Sequence, residues 1–433
     1  MSDSKRLAIL CGGGPAPGIN SVIGAATIRA NLGAVHVVGV RDGFKWLMQG
    51  DISRTLPLSI DTVSRIHFTG GSYLGTARAN PTRKTEYLEA TVEALERLGV
   101  DKLLTIGGDD TAFSAMSVAR QAAGRLQVVH VPKTIDNDLD LPHGISTFGF
   151  QTARHVGTEL VKNLMVDART TTRWYLIVAM GRTAGHLALG IGKAAGATLS
   201  IIPEEFGDSP IRLGQLVDIL AGAIVKRRSH GHEHGTVMLA EGLVEHLARE
   251  DLESIGNIER DEHDHPRLSE VNLGDIVKDR LHQRLRRLGI DSTLVTKDIG
   301  YELRCADPIP FDMEYTRDLG YCAAEYLLEG GSNAMVTLVD GHFRPLPFDQ
   351  MLDPRTGRTR VRLVDVGSEH YRIARQYMVR LNVRDFQPES LPSLCEALGV
   401  SAEQFRQEFG WVLEHEMRLQ QQGALQNTTR LSA

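Results

Sequence analysis

Short apolar runs, each closed by glycines or a polar cluster, recur along this chain. Residues 7–11 run into Gly12–Gly18 and then a helical pattern to about Asn31. Residues 35–40 end at Arg41-Asp42-Gly43, and residues 103–106 at Gly107-Gly108-Asp109-Asp110. Residues 128–131 end at Pro132-Lys133, 175–180 at Gly181-Arg182, 236–240 at Glu241-Gly242 and 334–339 at Asp340-Gly341. Between two of these runs Leu88, Val92, Leu95 and Leu98 follow helical spacing, with Gly99 placed as a C-terminal stop. Strand, glycine turn, helix, strand is the pattern of an α/β protein with a mostly parallel sheet. In such sheets ligands gather beyond the carboxyl ends of the strands, and the polar clusters of this chain fall there.

Seven such runs in 433 residues exceed one compact sheet. The expectation is therefore two Rossmann-like α/β lobes with an active-site cleft between them. A first lobe of 1–145 is completed by part of 300–345, a second covers 146–300, and 346–433 forms a mostly helical extension with a polar tail from Gln420. Lys and Arg number 48 against 54 Asp and Glu, a net charge of −6, which argues against nucleic acid or an anionic membrane as partner. No apolar run approaches a membrane span. The start of the chain has no signal-peptide core, and Cys11, Cys305, Cys322 and Cys395 form no CxxC pair, so a reducing cytoplasm is the expected home. The stretch 227–234 holds His230, His232 and His234 and reads as a solvated surface loop.

The clusters carry chemistry. Gly12–Gly18 follows a strand and opens a helix, a geometry that offers N–H groups to a phosphate or simply makes a tight turn. It fits neither a dinucleotide fingerprint, which would need glycine at Pro17, nor a Walker A loop, where Ile19-Asn20 would be Lys-Ser/Thr. Asp109 and Asp110 suit a hard cation such as Mg²⁺, or one of them caps a helix. Lys133, Thr134, Asp136 and Asp138 supply a cation, a hydroxyl and a candidate base; the same residues would also make a polar loop. Arg182 and Arg304 add cations, and Glu241 an acceptor for hydroxyl groups. This inventory describes phosphoryl transfer to a phosphorylated polyol.

GGGPAPGIN, GGSYLGTARANP, IGGDDT, PKTIDND, MGRTAGH, AEG and GYELRCADPIPFD, in this order and spacing, resemble the 6-phosphofructokinases, most of all their pyrophosphate-dependent branch. The resemblance runs from about residue 7 to 341. It implies reversible, Mg²⁺-dependent transfer from pyrophosphate to fructose 6-phosphate in glycolysis and gluconeogenesis, with ATP as the alternative donor. By motif, Gly13, Asp110 and Lys133 would meet the donor, Asp109 would hold Mg²⁺, and Asp136 would be the catalytic base, with Lys133 and Asp110 beside it. Thr134, Met180, Gly181, Arg182, Glu241, Tyr301 and Arg304 would bind the sugar phosphate. Arg173 would reach a neighbour's site, which implies a homo-oligomer, a dimer or tetramer. By the same resemblance, ATP-using members typically have glycine where Asp110 stands, and Lys133 stands where many bacterial ATP enzymes have glycine, though some ATP-dependent members also have Lys there, so Asp110 is the stronger signal. Arg78 matches a donor-side arginine of the ATP enzymes, Lys297 is a further basic candidate, and Tyr301 takes a place where those enzymes often have His. A lipid or dinucleotide kinase would give no reason for PKTIDND and MGR, and a non-catalytic sensor none for an intact base and metal acid.

Overall fold

The computed structural model describes residues 6–142, 144–207, 209–255, 271–355 and 359–431. Its strands begin with β1 (Arg6–Cys11), β2 (His36–Val40), β3 (Thr55–Leu58), β4 (Lys102–Gly107), β5 (Gln127–Thr134) and β6 (Phe148–Gly149). Then come β7 (Arg173–Ala179), β8 (Leu199–Ile201), β9 (Gly235–Ala240) and β10 (Thr293–Ile299). Last are β11 (Ala334–Met335), β12 (Leu338–Val339), β13 (His342–Phe343) and β14 (Leu346–Pro347). The longer helices are α1 (Ile19–Leu32), α2 (Thr85–Arg97), α3 (Asp109–Ala122), α4 (Phe150–Thr171), α5 (His186–Ala195) and α6 (Leu213–Ser229). They continue with α7 (Leu273–Arg287), α8 (Pro310–Leu328), α9 (Glu369–Gln376), α10 (Leu391–Leu398) and α11 (Ala402–Leu431). Among the described residues no helix is long and apolar enough to cross a membrane.

The chain divides into two compact units, residues 1–156 with 301–362, and 157–300 with 363–433. In the first, strands run in the order β14-β11-β5-β4-β1-β2-β3, with β6 beside β5. The pairs from β11 through β5, β4 and β1 to β2 are parallel; β3 and β14 are antiparallel edges. Buried on both faces, the central strands read as continuous apolar runs rather than alternations. Order reverses at β1, which has β2 on one side and β4 on the other. A crevice therefore opens between the carboxyl ends of β1 and β4.

The second unit has a four-stranded, all-parallel sheet in the order β10-β7-β9-β8. Its order reverses at β7, between β10 and β9. Trp174, Leu176, Leu239, Leu216, Leu220, Phe405 and Phe409 lie in its apolar core. Two α/β units with mostly parallel sheets are what the sequence pattern implies.

Details differ. β5 continues through Pro132 and Lys133 to Thr134, although a proline usually ends a strand. The 334–339 run is broken into β11 and β12, and β12 pairs with β13 in a separate two-stranded hairpin. β10 escapes a sequence reading because most of its residues are partly exposed and polar. The histidine loop is shorter than expected, since α6 runs on through Ser229. Of the expected polar tail, residues 420–431 continue α11, and Ser432 and Ala433 lie outside the described residues.

Asp312 ties the first unit together. It is fully buried in the first turn of α8, and its carboxylate accepts from the N–H groups of Gly149 (3.0 Å) and Thr152 (2.7 Å) and from the Thr152 hydroxyl (2.6 Å). It thus caps the N-terminus of α4 from another helix. Asp312→Ala leaves three donors without their acceptor and should cost about 2–4 kcal/mol in urea unfolding. A loss below about 1 kcal/mol would show that water or a shift of α4 replaces it.

Candidate active site

In the first unit, three adjacent parallel strands deliver the site. β1 ends at Cys11, β4 at Gly107 and β5 at Thr134, in register Cys11↔Ile106 and Gly107↔Pro132. Beyond β1, the Gly12 N–H donates to Ile106 (2.9 Å) and the Gly13 N–H to Ala77 (3.0 Å). Gly13 has φ 78°, a conformation that favours glycine. A side chain on Gly12 would stand 2.5 Å from Thr111 Oγ1, and one on Gly107 would strike the same threonine. These glycines let the turns after β1 and β4 close on Thr111.

Gly108 caps α3, and Asp109 and Asp110 are its first two residues. Carboxylates in a first turn are favoured by the helix dipole by about 0.3–1 kcal/mol. Asp109 is half-buried and Asp110 exposed. Among the described residues no three His, Cys, Asp or Glu side chains gather into a cage for a metal. One or two carboxylates are what a hard divalent cation needs when water and phosphate oxygens complete its shell.

Lys133 is 5% exposed, and its Nζ donates to the Gly14 carbonyl. Burial lowers its pKa; the neighbouring Cys11, Asp136 and Asp138 work against that and Arg304 reinforces it. The Cys11 thiol is itself pushed up to about 11 by burial. Asp136 is 8% exposed, and its N–H donates to Thr134 Oγ1 at 3.0 Å. The Arg304 guanidinium lies over the Tyr301 ring at 4.6 Å, and a methyl group on Gly14 would be 3.3 Å from its Nη1. Tyr301 is 73% exposed. Arg78, exposed, follows Ala77, whose carbonyl takes the Gly13 N–H.

In the second unit, Met180, Gly181 and Arg182 follow β7 and Glu241 follows β9. Glu241 Oε2 accepts from the N–H groups of Gly181 (3.1 Å) and Arg182 (3.2 Å), and the Met180 N–H donates to Ile299 (3.0 Å). Arg182 is exposed with φ 52°. Arg173 opens β7 instead, near Asp167 at 3.9 Å. At roughly 3.3 Å per residue the strand puts it about 20–30 Å from Arg182, so one chain does not bring these two arginines together. Lys297 is exposed on β10. Sequence reading missed Glu204, whose Oε1 accepts from Gly185 (2.9 Å) and Val364 (3.0 Å) and so fixes the turn after Arg182.

It also missed His130, which looks like one more position in an apolar run. His130 is fully buried on β5, with Nδ1 2.8 Å from Thr105 Oγ1 and Nε2 3.0 Å from the Gly107 carbonyl. A carbonyl only accepts, so Nε2 carries the hydrogen and Nδ1 accepts from Thr105. The ring holds the end of β4 where the Gly107-Gly108 turn begins.

A family model described as Phosphofructokinase matches residues 6–327. The chain is 51% identical over 412 residues to a pyrophosphate–fructose 6-phosphate 1-phosphotransferase of Thermotoga maritima, covering 94% of this chain and 98% of that protein. It is 48% identical over 418 residues to a protein of the same name from Naegleria fowleri, covering 94% and 96%. A solved pyrophosphate-dependent phosphofructokinase from Nitrosospira multiformis shares the fold, with a TM-score of 0.66 at 16% identity over 87% of this chain and 91% of that one.

Burial, reinforced by Lys133 and opposed by the bond to Gly107, pushes the His130 pKa down from 6.5 to about 3. The unfolded chain then binds more protons between those values, so stability is lost as pH falls through that window, by at most about 1.4 kcal/mol per unit. Equilibrium unfolding between pH 6.5 and 4 should show this slope, and His130→Gln should flatten it. Equal slopes in the two proteins would exclude His130 as the titrating group.

Proposed function

The chain belongs to the phosphofructokinase family, and we propose that it is a pyrophosphate:fructose-6-phosphate 1-phosphotransferase, acting reversibly in cytoplasmic glycolysis and gluconeogenesis. The observation that carries this reading is the convergence of Gly12–Gly14, Asp109-Asp110 and Lys133–Asp136 at the ends of three adjacent parallel strands, in a chain half identical to two proteins of that name. Asp136 accepts the proton of the sugar 1-hydroxyl as that oxygen attacks the terminal phosphorus. A new O–P bond forms, the bridging P–O bond breaks, and phosphate leaves. Lys133 offsets negative charge on the transferring group, and the Gly13 and Gly14 backbone lies against the donor.

Asp109, with its oxygen donors at the start of α3, fits a family that generally uses Mg²⁺; the ion, when bound, neutralises charge on the donor phosphates. Thr134, Met180, Gly181, Arg182, Glu241, Tyr301 and Arg304 serve the sugar phosphate. The closeness of Arg304 to Gly14 favours a share for it in donor binding too. The enzyme is a homo-oligomer in which Arg173 serves a neighbouring subunit, since Arg173 lies a strand's length from Arg182.

Two substitutions test the chemistry with purified enzyme, pyrophosphate or ATP, and fructose 6-phosphate. Asp136→Asn keeps the shape but not the base, so kcat should fall by about 10²–10⁴ with sugar-phosphate affinity little changed. A variant near wild-type kcat would remove Asp136 from that role.

Asp110 puts an anion where the α-phosphate of ATP would lie, and juxtaposed like charges cost several kcal/mol. The wild type should therefore prefer pyrophosphate, and Asp110→Gly should raise the ATP-to-pyrophosphate ratio of kcat/KM. Efficient ATP use by the wild type, or an unchanged ratio in the variant, would refute this donor assignment and favour an ATP-dependent enzyme.

A further inference from the structure

The loop that carries Asp136 leaves β5 after Thr134 and returns at β6, which lies beside it with Lys133↔Phe148 and Thr134↔Gly149 in register. Some of its shape is local. Thr147 donates its hydroxyl to the Thr134 carbonyl (2.7 Å) and its N–H to Asn137 Oδ1 (3.0 Å). Yet Asn137, the residue after Asp136, sits at φ 57°. For a non-glycine residue this left-handed conformation persists where the surroundings hold it.

The surroundings come from 225 residues away in sequence. Arg362 spreads its guanidinium over both limbs of the loop. Nε donates to the Asn137 carbonyl (3.0 Å), Nη1 to the Ile145 carbonyl (2.6 Å) and Nη2 to Asn137 Oδ1. Its own N–H donates to the Asp138 carbonyl (2.7 Å), and Val361 pairs with Leu139 in an antiparallel bridge. Thr147 and Arg362 thus share the Asn137 Oδ1 as their acceptor. A planar fork spreads its donors over three separated acceptors in fixed directions, whereas an ammonium's three donors share one rotating nitrogen. The cation also faces Asp138 and Asp140, which would otherwise repel one another across this acidic segment.

We propose that Arg362 is a positioning residue that fixes the Asp136 loop by clamping Asn137 and Ile145. It lies beyond residues 6–327, the stretch matched by the family model, in a part of the chain from which the sequence alone gives no reason to expect a role at the site. The inference rests on Asp136 being the base, as proposed above. A base displaced by a fraction of an ångström loses rate while the substrates still bind, and misplacement of about 1 Å can cost about 10²-fold.

The test uses the full-length protein and the variants Arg362→Ala and Arg362→Lys. In both, kcat with pyrophosphate should fall by about 10–100-fold while KM for each substrate moves less than about threefold. Hydrogen exchange in the peptide covering 134–147 should quicken, with the remaining peptides unchanged. Added guanidinium at millimolar concentration should restore part of the lost rate to Arg362→Ala and none to Asp136→Asn. A folded Arg362→Ala with kcat within twofold of wild type overturns the proposal. So does faster exchange spread through the whole first unit, or loss seen in KM alone. Should Arg362→Ala not fold, Arg362→Lys keeps the charge and carries the same readouts. A wild type inactive with pyrophosphate would sink the functional reading, while the exchange data would still judge the clamp.

Discussion

The first unit turns on a buried ammonium. Taking an amine out of water costs several kcal/mol unless it is paired and hydrogen-bonded. Lys133 lies at the end of β5, yet its Nζ reaches the Gly14 carbonyl beyond β1, two strands away, with β4 between them. The end of β4 between them is Gly107-Gly108, where a side chain on Gly107 would strike Thr111 and one on Gly108 would meet the Lys133 carbonyl at 3.5 Å. At Gly13 it is the φ of 78° that favours glycine, since a methyl group there would meet Nζ only at an ordinary contact distance of 3.4 Å. The glycines after β1 and β4 thus answer to Thr111 and to local backbone conformation, and the lysine reaches the same turn from β5. The same contact commits the ammonium to a neutral carbonyl on the turn after β1.

Parallel register makes such an arrangement possible. Each strand end advances by one spacing of about 4.8 Å to the next, and three successive turns face the same way. The ends of β1, β4 and β5 then lie side by side although 96 residues separate Cys11 from Gly107 and 27 separate Gly107 from Thr134. The crevice beside β1 falls where strand order reverses, and the turns there carry the glycines and the two aspartates. In the second unit the reversal lies at β7, and the turn after β7 is the one that Glu241 and Ile299 hold. One topological rule accounts for both clusters.

The parts of this design that are legible in the sequence share one property: they are local. A strand followed within a few residues by glycines and acids announces a turn at a carboxyl end, so Gly12–Gly14, Asp109-Asp110, Lys133–Asp136 and Gly181-Arg182 can be picked out without coordinates. β10 cannot, since its half-exposed, polar pattern resembles a loop. His130 cannot, because nothing in the run Val128–Val131 says that one polar ring will find both a hydroxyl and a carbonyl on β4. Arg362 and Glu204 are hidden for a stronger reason: Arg362 holds its loop from 225 residues away, and Glu204 ties the turn at Gly185 to Val364, 160 residues further along the chain. Sequence periodicity reports which face a residue presents, not which distant backbone it will meet.

The same reasoning explains the charges buried in the second unit. Glu205 and Glu416 bracket Arg380, at 2.8 and 2.9 Å, and Arg375 reaches Glu416 as well. Glu205, Arg380 and Glu416 are nearly inaccessible to water. Two cations and two anions balance, but well-packed apolar side chains of similar size would stabilise such a site as well or better. What apolar packing would not supply is register. A long helix such as α11, carrying Phe405, Phe409 and Val412 against α6, could slide by a turn and still bury aromatic and aliphatic groups. Glu416 finds its two arginines in one position only, and any slip would leave buried charges unpaired at a cost of several kcal/mol. The quartet therefore makes incorrect dockings of α11 unfavourable more than it strengthens the correct one. In the first unit Arg362 meets the loop after β5 under the same constraint, since three directed donors accept one placement of the backbone.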